Sequence, residues 1–378
     1  MTRQQWRSIH SQLPAGQYSS FTVLVFLADC VLFAASAILW TRTGGLLIHV
    51  AALIAPVFAM VQFFLLVHEA THGAVCRNKR WNDLVGHVCG WLIFLPFLPR
   101  QRNHLLHHAW AGHPTRDPEN RRAIAKFSAM SDQEAQRLEF VWRHWIPLFA
   151  LNSAVGTWLD PFRERSAGDR SQRIRKEIRF VWIYLGGYMA AFTCAQAAHA
   201  ALQLVGWYML AWIAELAMVE LVSLPHHAET PLLSPDAGRL EFREQETHSH
   251  SCASVPFWSR WVILNFNLHV VHHAFPWLPW FRLTEAQRLM SEQGLAAGQG
   301  ETDEVSWSLQ KRGRPLLELM GHYFDTQRKF STSISSSTEE SARGKRIVRP
   351  SRVTVSGKST VPRPPATVVD LRVARSKY

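Results

Sequence analysis

With 378 residues, 47% of them hydrophobic, and a formal charge of +12, the chain is long enough for two soluble domains, but its long apolar runs place it among membrane proteins instead. The charge is local: Ser331–Tyr378 holds ten Lys or Arg against three acidic residues, which supplies +7, and with no folded module or interleaved aromatics beside it, nucleic-acid binding is set aside. Five cysteines without a CxxC spacing exclude a disulfide framework and an iron–sulfur or rubredoxin-like electron-transfer module.

In chain order, residues 1–20 form a polar N-terminal segment without a signal-peptide cleavage pattern, so the first span is expected to stay as a signal anchor. Two apolar runs follow, Phe21–Trp40 and Leu46–Val67, separated by a turn containing TRTGG. A second pair, Phe180–Ala201 and Trp207–Leu224, has a similarly short turn. At about 1.5 Å per residue each run can cross a hydrocarbon core of about 30 Å, so two transmembrane hairpins are expected. Between them, Leu84–Leu98 and Phe140–Leu159 are apolar but carry His87, Pro96, Arg143, His144 and Pro147, and read as interfacial or re-entrant. Trp40, Trp207, Trp258, Trp261, Trp277 and Trp280 lie near span ends, where interfacial anchoring accounts for them.

Arg3 and Arg7 precede the first span, and residues 68–179 hold eighteen Lys or Arg, whereas the hairpin turns hold only Arg42. Both termini and the middle segment are therefore expected in the cytoplasm. The expected fold is an all-α integral membrane bundle of about four transmembrane helices in two hairpins, with a cytoplasmic histidine-rich cap. It divides into the N-terminal segment 1–20, a membrane domain 21–290, a cytoplasmic helical extension 291–330 and a disordered, basic, Ser/Pro-rich tail 331–378 suited to anionic headgroups.

Eight histidines fall into three clusters where apolar segments meet polar ones: HEATH at 68–72, HLLHH at 104–108 and HVVHH at 269–273. Residues three or four apart share a helix face, so each cluster aims two or three imidazoles one way. Zinc takes four ligands and non-haem iron up to six, so eight nitrogens point to a two-metal site. Spacing alone leaves iron, zinc, copper and nickel open. Glu69 suits a hydrogen bond to an imidazole N–H. Glu215 and Glu220 lie inside the fourth span, where an ionisable group is a functional candidate. Glu220 shares a face with His227 and is read either as orienting a ligand or as a paired bundle glutamate.

His248 and His250 have ligand-like spacing only for a strand or loop and read as structural or solvated; His113 reads as a loop residue or one behind a ligand, and the isolated His10, His49, His87, His144, His199 and His322 read as structural. A site at the cytoplasmic end of a bundle can take an acyl chain from the bilayer and electrons from the cytosol, which suits O2-dependent attack on an unactivated C–H bond.

HEATHG, RNHLLHHAWAG followed by DPE at 117–119, and NFNLHVVHHAFPWLPW at 265–280 resemble the three histidine boxes of the membrane fatty acid desaturase superfamily, over roughly residues 20–290. The resemblance implies two irons held by His68, His72, His104, His107, His108, His269, His272 and His273. It implies one further histidine after the fourth span, His226 in preference to His227. It also places Asn265, Asp117 and Arg102 behind the ligands, directly or through water. The implied reaction introduces a double bond into a lipid acyl chain, or hydroxylates it. Electrons would come from an external donor of the ferredoxin or cytochrome b5 type.

The carotenoid and alkyl-chain hydroxylases and ketolases of the same superfamily are an alternative. HEATH also fits the HExxH zinc-protease motif, with Glu69 as general base and WLDP at 158–161 as a third-ligand source, but that reading leaves both HxxHH boxes unused. A metal transporter would place its ligands at the membrane midplane.

Overall fold

The computed structural model describes residues 1–13, 20–42, 44–252, 259–295, 309–310 and 312–319. Among them every regular element is helical, which matches the all-α expectation. Among the described residues, four helices are long and apolar enough to cross a membrane: α2 (Ser20–Thr41), α3 (Leu46–His72), α9 (Gln172–Ala197) and α10 (Ala201–Ser223), where α1 is Arg3–Gln12 and the remaining helices are numbered below. They coincide with the four expected runs. Their outward faces carry Leu24, Leu27, Val31, Ile54, Ile183 and Leu210 exposed, the surface a lipid solvent accepts and water does not.

Between α3 and α9 lie α4 (Lys79–Leu92), α5 (Phe97–Trp110), α6 (Pro118–Ser128), α7 (Asp132–Arg143) and α8 (Leu148–Ser166). Of the two stretches expected to be interfacial or re-entrant, Leu84–Leu98 spans the junction of α4 and α5, which meet at 107°. The break leaves the last carbonyls of α4 without helical partners. Four aromatic donors supply them: Tyr188 to Trp91, Tyr208 to Leu92, Trp212 to Ile93 and Trp158 to Phe94. Phe94 holds a left-handed φ of 57° at the corner. The backbone closes so tightly that a Cβ on Gly90 would stand 2.4 Å from the Leu95 carbonyl oxygen.

The main core joins α3, α4 and α10 through Met60, Phe63, Leu66, Val85, Ile93, Trp212 and Leu216. Beyond α10 the chain forms a short 3₁₀ turn, Leu224–His226, then a second, Phe242–His248, then α11 (Ser259–Val262), α12 (His269–Ala274) and α13 (Leu283–Glu292). A second core packs α1 beneath α12 and α13, with Ile9 and Leu13 against Val271, Phe275, Leu278 and Met290. Trp6 donates from Nε1 to the Ala274 carbonyl at 3.0 Å. The N-terminal segment thus lies at the same end of the bundle as all three histidine boxes.

Of the stretch 291–330, α13 ends within it, and a short helix, Leu316–Leu319, docks on α7. There Trp142 donates to the Arg314 carbonyl at 2.9 Å, and Leu316 N–H donates to Glu139 at 2.8 Å. The basic tail 331–378 lies outside the described residues, as do Trp258 and His322. Two of the six tryptophans read as surface anchors are internal instead. Trp207 and Trp280 are buried and donate to the Ala52 carbonyl and to Thr22 Oγ1, so their indole N–H groups tie helices together.

Gly90→Ala is expected to destabilise the protein by about 1–3 kcal/mol, the ordinary penalty of overpacking against backbone that cannot retreat. Gly206→Ala, with nothing within 4 Å of its Cβ, should leave stability unchanged or slightly raised. Thermal unfolding of the two variants in detergent checks the contrast.

Candidate metal centre

Four short pieces of chain deliver the imidazoles. HEATH is the last turn of α3, which ends at Gly73 with φ 75° and its N–H on the Ala70 carbonyl. HLLHH is the last turns of α5, HVVHH is α12, and the turn after α10 delivers His226 and His227. His68, His72, His104, His108 and His272 bring one nitrogen each to within 4.8 Å of one another, and His107, His227 and His273 do the same. His269 joins the second group, with Nε2 at 2.8 Å from His227 Nε2 and 3.2 Å from His273 Nε2. The two groups adjoin, since the His108 and His273 rings stack at 4.3 Å.

Within the first group, Nε2 atoms lie 3.0 Å apart in His72 and His104, and 3.1 Å apart in His104 and His108 and in His108 and His272. That is about the separation of two nitrogens each about 2.1 Å from one ion. His68 Nε2 and His107 Nε2 are buried and have no hydrogen-bond partner. Burial, followed by the neighbouring imidazoles, holds His104, His108, His269, His272 and His273 well below the ordinary histidine value. His227 is lowered to about 3, by burial first and then by His107. Neutral rings with converging lone pairs and too few protons to bridge them fit metal cations.

The outer nitrogens are held in turn. His107 Nδ1 lies 2.9 Å from Asp117 Oδ2, and although burial opposes a charge on that ring, Asp117 and Glu119 outweigh it and push it up to about 9. Asp117 is itself fully buried and fixed by the Glu119 N–H at 2.9 Å, the N-cap bond of α6. His273 Nδ1 lies 2.9 Å from Gln245 Oε1, and Gln245 Nε2 donates to the His108 carbonyl at 2.7 Å. His227 Nδ1 faces the His248 carbonyl at 3.3 Å. Such partners fix the tautomer and aim the other nitrogen inward.

Eight of the histidines singled out in the sequence come together as expected. His226 does not stand in either group: its Nδ1 lies 2.9 Å from the His250 carbonyl and its ring stacks on His269, while His227 occupies the place expected of it. Asp117 stands behind His107 as expected. Glu69 and Asn265 do not contact the imidazole nitrogens at hydrogen-bond distance. Glu69 stays 3.8 Å from His68 Nδ1 and accepts the Trp280 N–H at 3.0 Å, while Asn265 donates to the Trp280 carbonyl at 2.9 Å. The two hold the backbone of one residue, Trp280, by its N–H and its carbonyl, and so tie the chain just before α12 to α3.

Glu220 accepts the Phe149 and Ala150 N–H groups and pairs with Arg312, which makes it the anchor of the α8 N-terminus. Arg102 pairs with Glu164 and Glu177. His113 accepts the Thr115 and Arg116 N–H groups, and His250 lies 3.0 Å from the Ala228 carbonyl, both outside the cluster. Gln245 is the partner that sequence reading missed. It lies one turn before the histidines of QETHSHS, and nothing in its local pattern marks it.

A cavity of about 250 Å³ opens from the imidazoles into the bundle. His68, His104, His107, His227 and His269 form part of its wall, Phe64, Ile93, Phe149, Leu216 and Val219 its apolar part, and Arg122 and Lys126 a polar rim. An apolar pocket meeting a metal-capable cluster suits a chain-like lipid.

A family model described as fatty acid desaturase matches residues 44–303. The chain belongs to the fatty acid desaturase family. It is 24% identical over 251 residues to the probable fatty acid desaturase DES1 of Sorghum bicolor, a match covering 62% of each chain. It is 22% identical over 267 residues to the sn-1 oleoyl-lipid 12-desaturase of Arthrospira platensis, covering 67% of this chain and 71% of that one. A shorter stretch of 54 residues, 14% of this chain and 13% of the relative, is 37% identical to the omega-3 fatty acid desaturase fat-1 of Caenorhabditis elegans. The chain thus spans under two thirds of the length of the Sorghum desaturase. The matched region contains all nine clustered histidines of this family member.

Asp117→Asn and Gln245→Leu are each expected to weaken metal binding by about 10–100-fold, because the ring behind them loses its fixed tautomer. His144→Ala, at the exposed end of α7, should leave it unchanged. Competition with a chelator, read by metal content per chain, measures all three.

Proposed function

We propose that the protein is an O2-dependent di-iron oxidase of the membrane that introduces a double bond into a lipid acyl chain. The carrying observation is the pair of adjoining all-imidazole groups opening on an apolar cavity at one end of the helical bundle. His68, His72, His104, His108 and His272 would hold one iron, and His107, His227, His269 and His273 the other, with His227 taking the role first given to His226. Bound iron supplies the O2 activation that an unactivated C–H bond requires.

The protein's own residues do the rest. Asp117, Gln245 and the His248 carbonyl keep three rings aimed inward. Glu69 and Asn265 hold the Trp280 backbone so that the chain leading into α12 keeps its place on α3. Phe64, Ile93, Leu216 and Val219 hold the acyl chain and exclude water from the reacting carbons. The reaction balances as a CH2–CH2 unit, O2, two electrons and two protons giving a CH=CH unit and two water molecules. An external donor of the ferredoxin or cytochrome b5 type would supply the electrons.

On this reading both termini and the histidine end face the cytoplasm. The packing of α1 against the third box supports a common end for the N-terminus and the site. Residues 21–290 would form the membrane domain, and the basic tail 331–378 would lie against anionic headgroups. Glu69 is engaged by the Trp280 N–H, which argues against its use as the base of a zinc protease.

Purified protein should hold about two irons per chain, and His107→Ala or His272→Ala should lower the metal content and abolish the unsaturated product while the protein stays inserted. Retained product in either variant would overturn the ligand assignment. Glu69→Gln should keep measurable product and would eliminate activity only under the protease reading. Metal analysis and lipid analysis of the same membranes give both readouts.

A further inference from the structure

Four carboxylates line the cavity, and three already have work. Asp117 faces His107, Glu119 pairs with Arg100, and Glu220 receives the Phe149 and Ala150 N–H groups. Glu215 is the fourth. It is 2% exposed, and its Oε2 is buried with no hydrogen-bond partner. It lies eight residues before Ser223 on α10, so its Cα sits about 12 Å further from the histidine end of that helix. The donors one and two turns earlier on the same face, Trp212 and Tyr208, are spent on the Ile93 and Leu92 carbonyls.

A carboxyl group without a partner in an apolar layer is costly, and such residues are retained where they bind something. We propose that Glu215 accepts a hydrogen bond from a hydroxyl group carried on the lipid chain, so that the preferred substrate is a hydroxylated acyl chain. The inference rests on the acyl-chain reading above and adds a specificity-determining residue to it. A hydroxyl fits better than a cation. Leu216 and Val219 line the cavity on the same helix, and a buried charge would need more partners than one carboxylate offers. In either protonation state the carboxyl keeps an acceptor oxygen, so a neutral donor is recognised in both. Leu216 and Val219 on the same stretch of wall take the methylenes, and the hydroxyl position along the chain is read by its reach to Glu215.

The test is a binding series on the purified, metal-loaded protein in detergent, with octadecanoic acid and its monohydroxy positional isomers competing against a fluorescent fatty acid. At least one isomer should bind wild-type protein roughly tenfold or more tightly than the plain acid. Glu215→Leu should collapse that ratio toward one, and Glu215→Gln, which keeps an acceptor oxygen, should retain part of it. A ratio near one for every isomer in the wild type would overturn the role of Glu215, and needs no variant to fold. In that case tight binding of all the chains would leave the acyl-lipid reading standing. If no chain displaces the probe, both the role of Glu215 and the acyl-lipid reading fall. The same substrate ratio measured as kcat/KM separates binding from turnover.

Discussion

The rest of the structure depends on the burial of nine imidazoles in one place. Each buried polar nitrogen left without a partner costs about 1–3 kcal/mol, and these rings are too close and too dry to be satisfied by protons alone. The chain answers from outside, with Asp117, Gln245 and the His248 carbonyl on outer nitrogens, and leaves the inner lone pairs facing each other. Cations between the rings would satisfy those lone pairs. On the proposed reading, folding of the histidine end and metal loading are therefore one equilibrium.

That demand explains the least regular parts of the backbone. The second box must approach the first from the side, so α5 leaves α4 at 107° and exposes four carbonyls in an apolar layer. Two tryptophans and two tyrosines from α8, α9 and α10 donate to them. The third box sits on a helix of six residues, too short to hold itself. It borrows rigidity from α1 beneath it and from the Trp280 backbone, whose N–H is held by Glu69 and whose carbonyl is held by Asn265.

The spans and the boxes were legible in the sequence because both are local patterns: apolar runs of fixed length, and histidines at helical spacing. Eight of the nine clustered histidines followed from spacing and resemblance. The ninth required a choice between His226 and His227, neighbours whose rings leave a 3₁₀ turn in different directions, and only the turn's geometry decides it. Glu69, Asn265 and Glu220 were singled out in the sequence, but their partners lie from 15 residues away, for Asn265, to 211 away, for Glu69. Sequence spacing carries no information about such partners. Gln245 was invisible for the same reason, since a glutamine beside two conspicuous histidines draws no notice. The tryptophans misled because an indole at a span end suits an interface and an orphan carbonyl equally well.

One helix face links these features. Along α10, Trp212 receives the broken end of α4, Glu215 stands on the cavity wall, Glu220 starts α8, and the turn that follows delivers His227. The helix rise of about 1.5 Å per residue therefore sets the depth of the cavity's one uncommitted carboxylate relative to the histidine end. A lipid held at Glu215 has its reacting carbons counted from that point, not from its head group. Regiochemistry would then follow from the spacing of residues on a rigid helix, which substitutions at the mouth of the cavity cannot shift. A change in register along α10 would move the reacting position by whole carbons, whereas a change in the ligands would remove the reaction altogether.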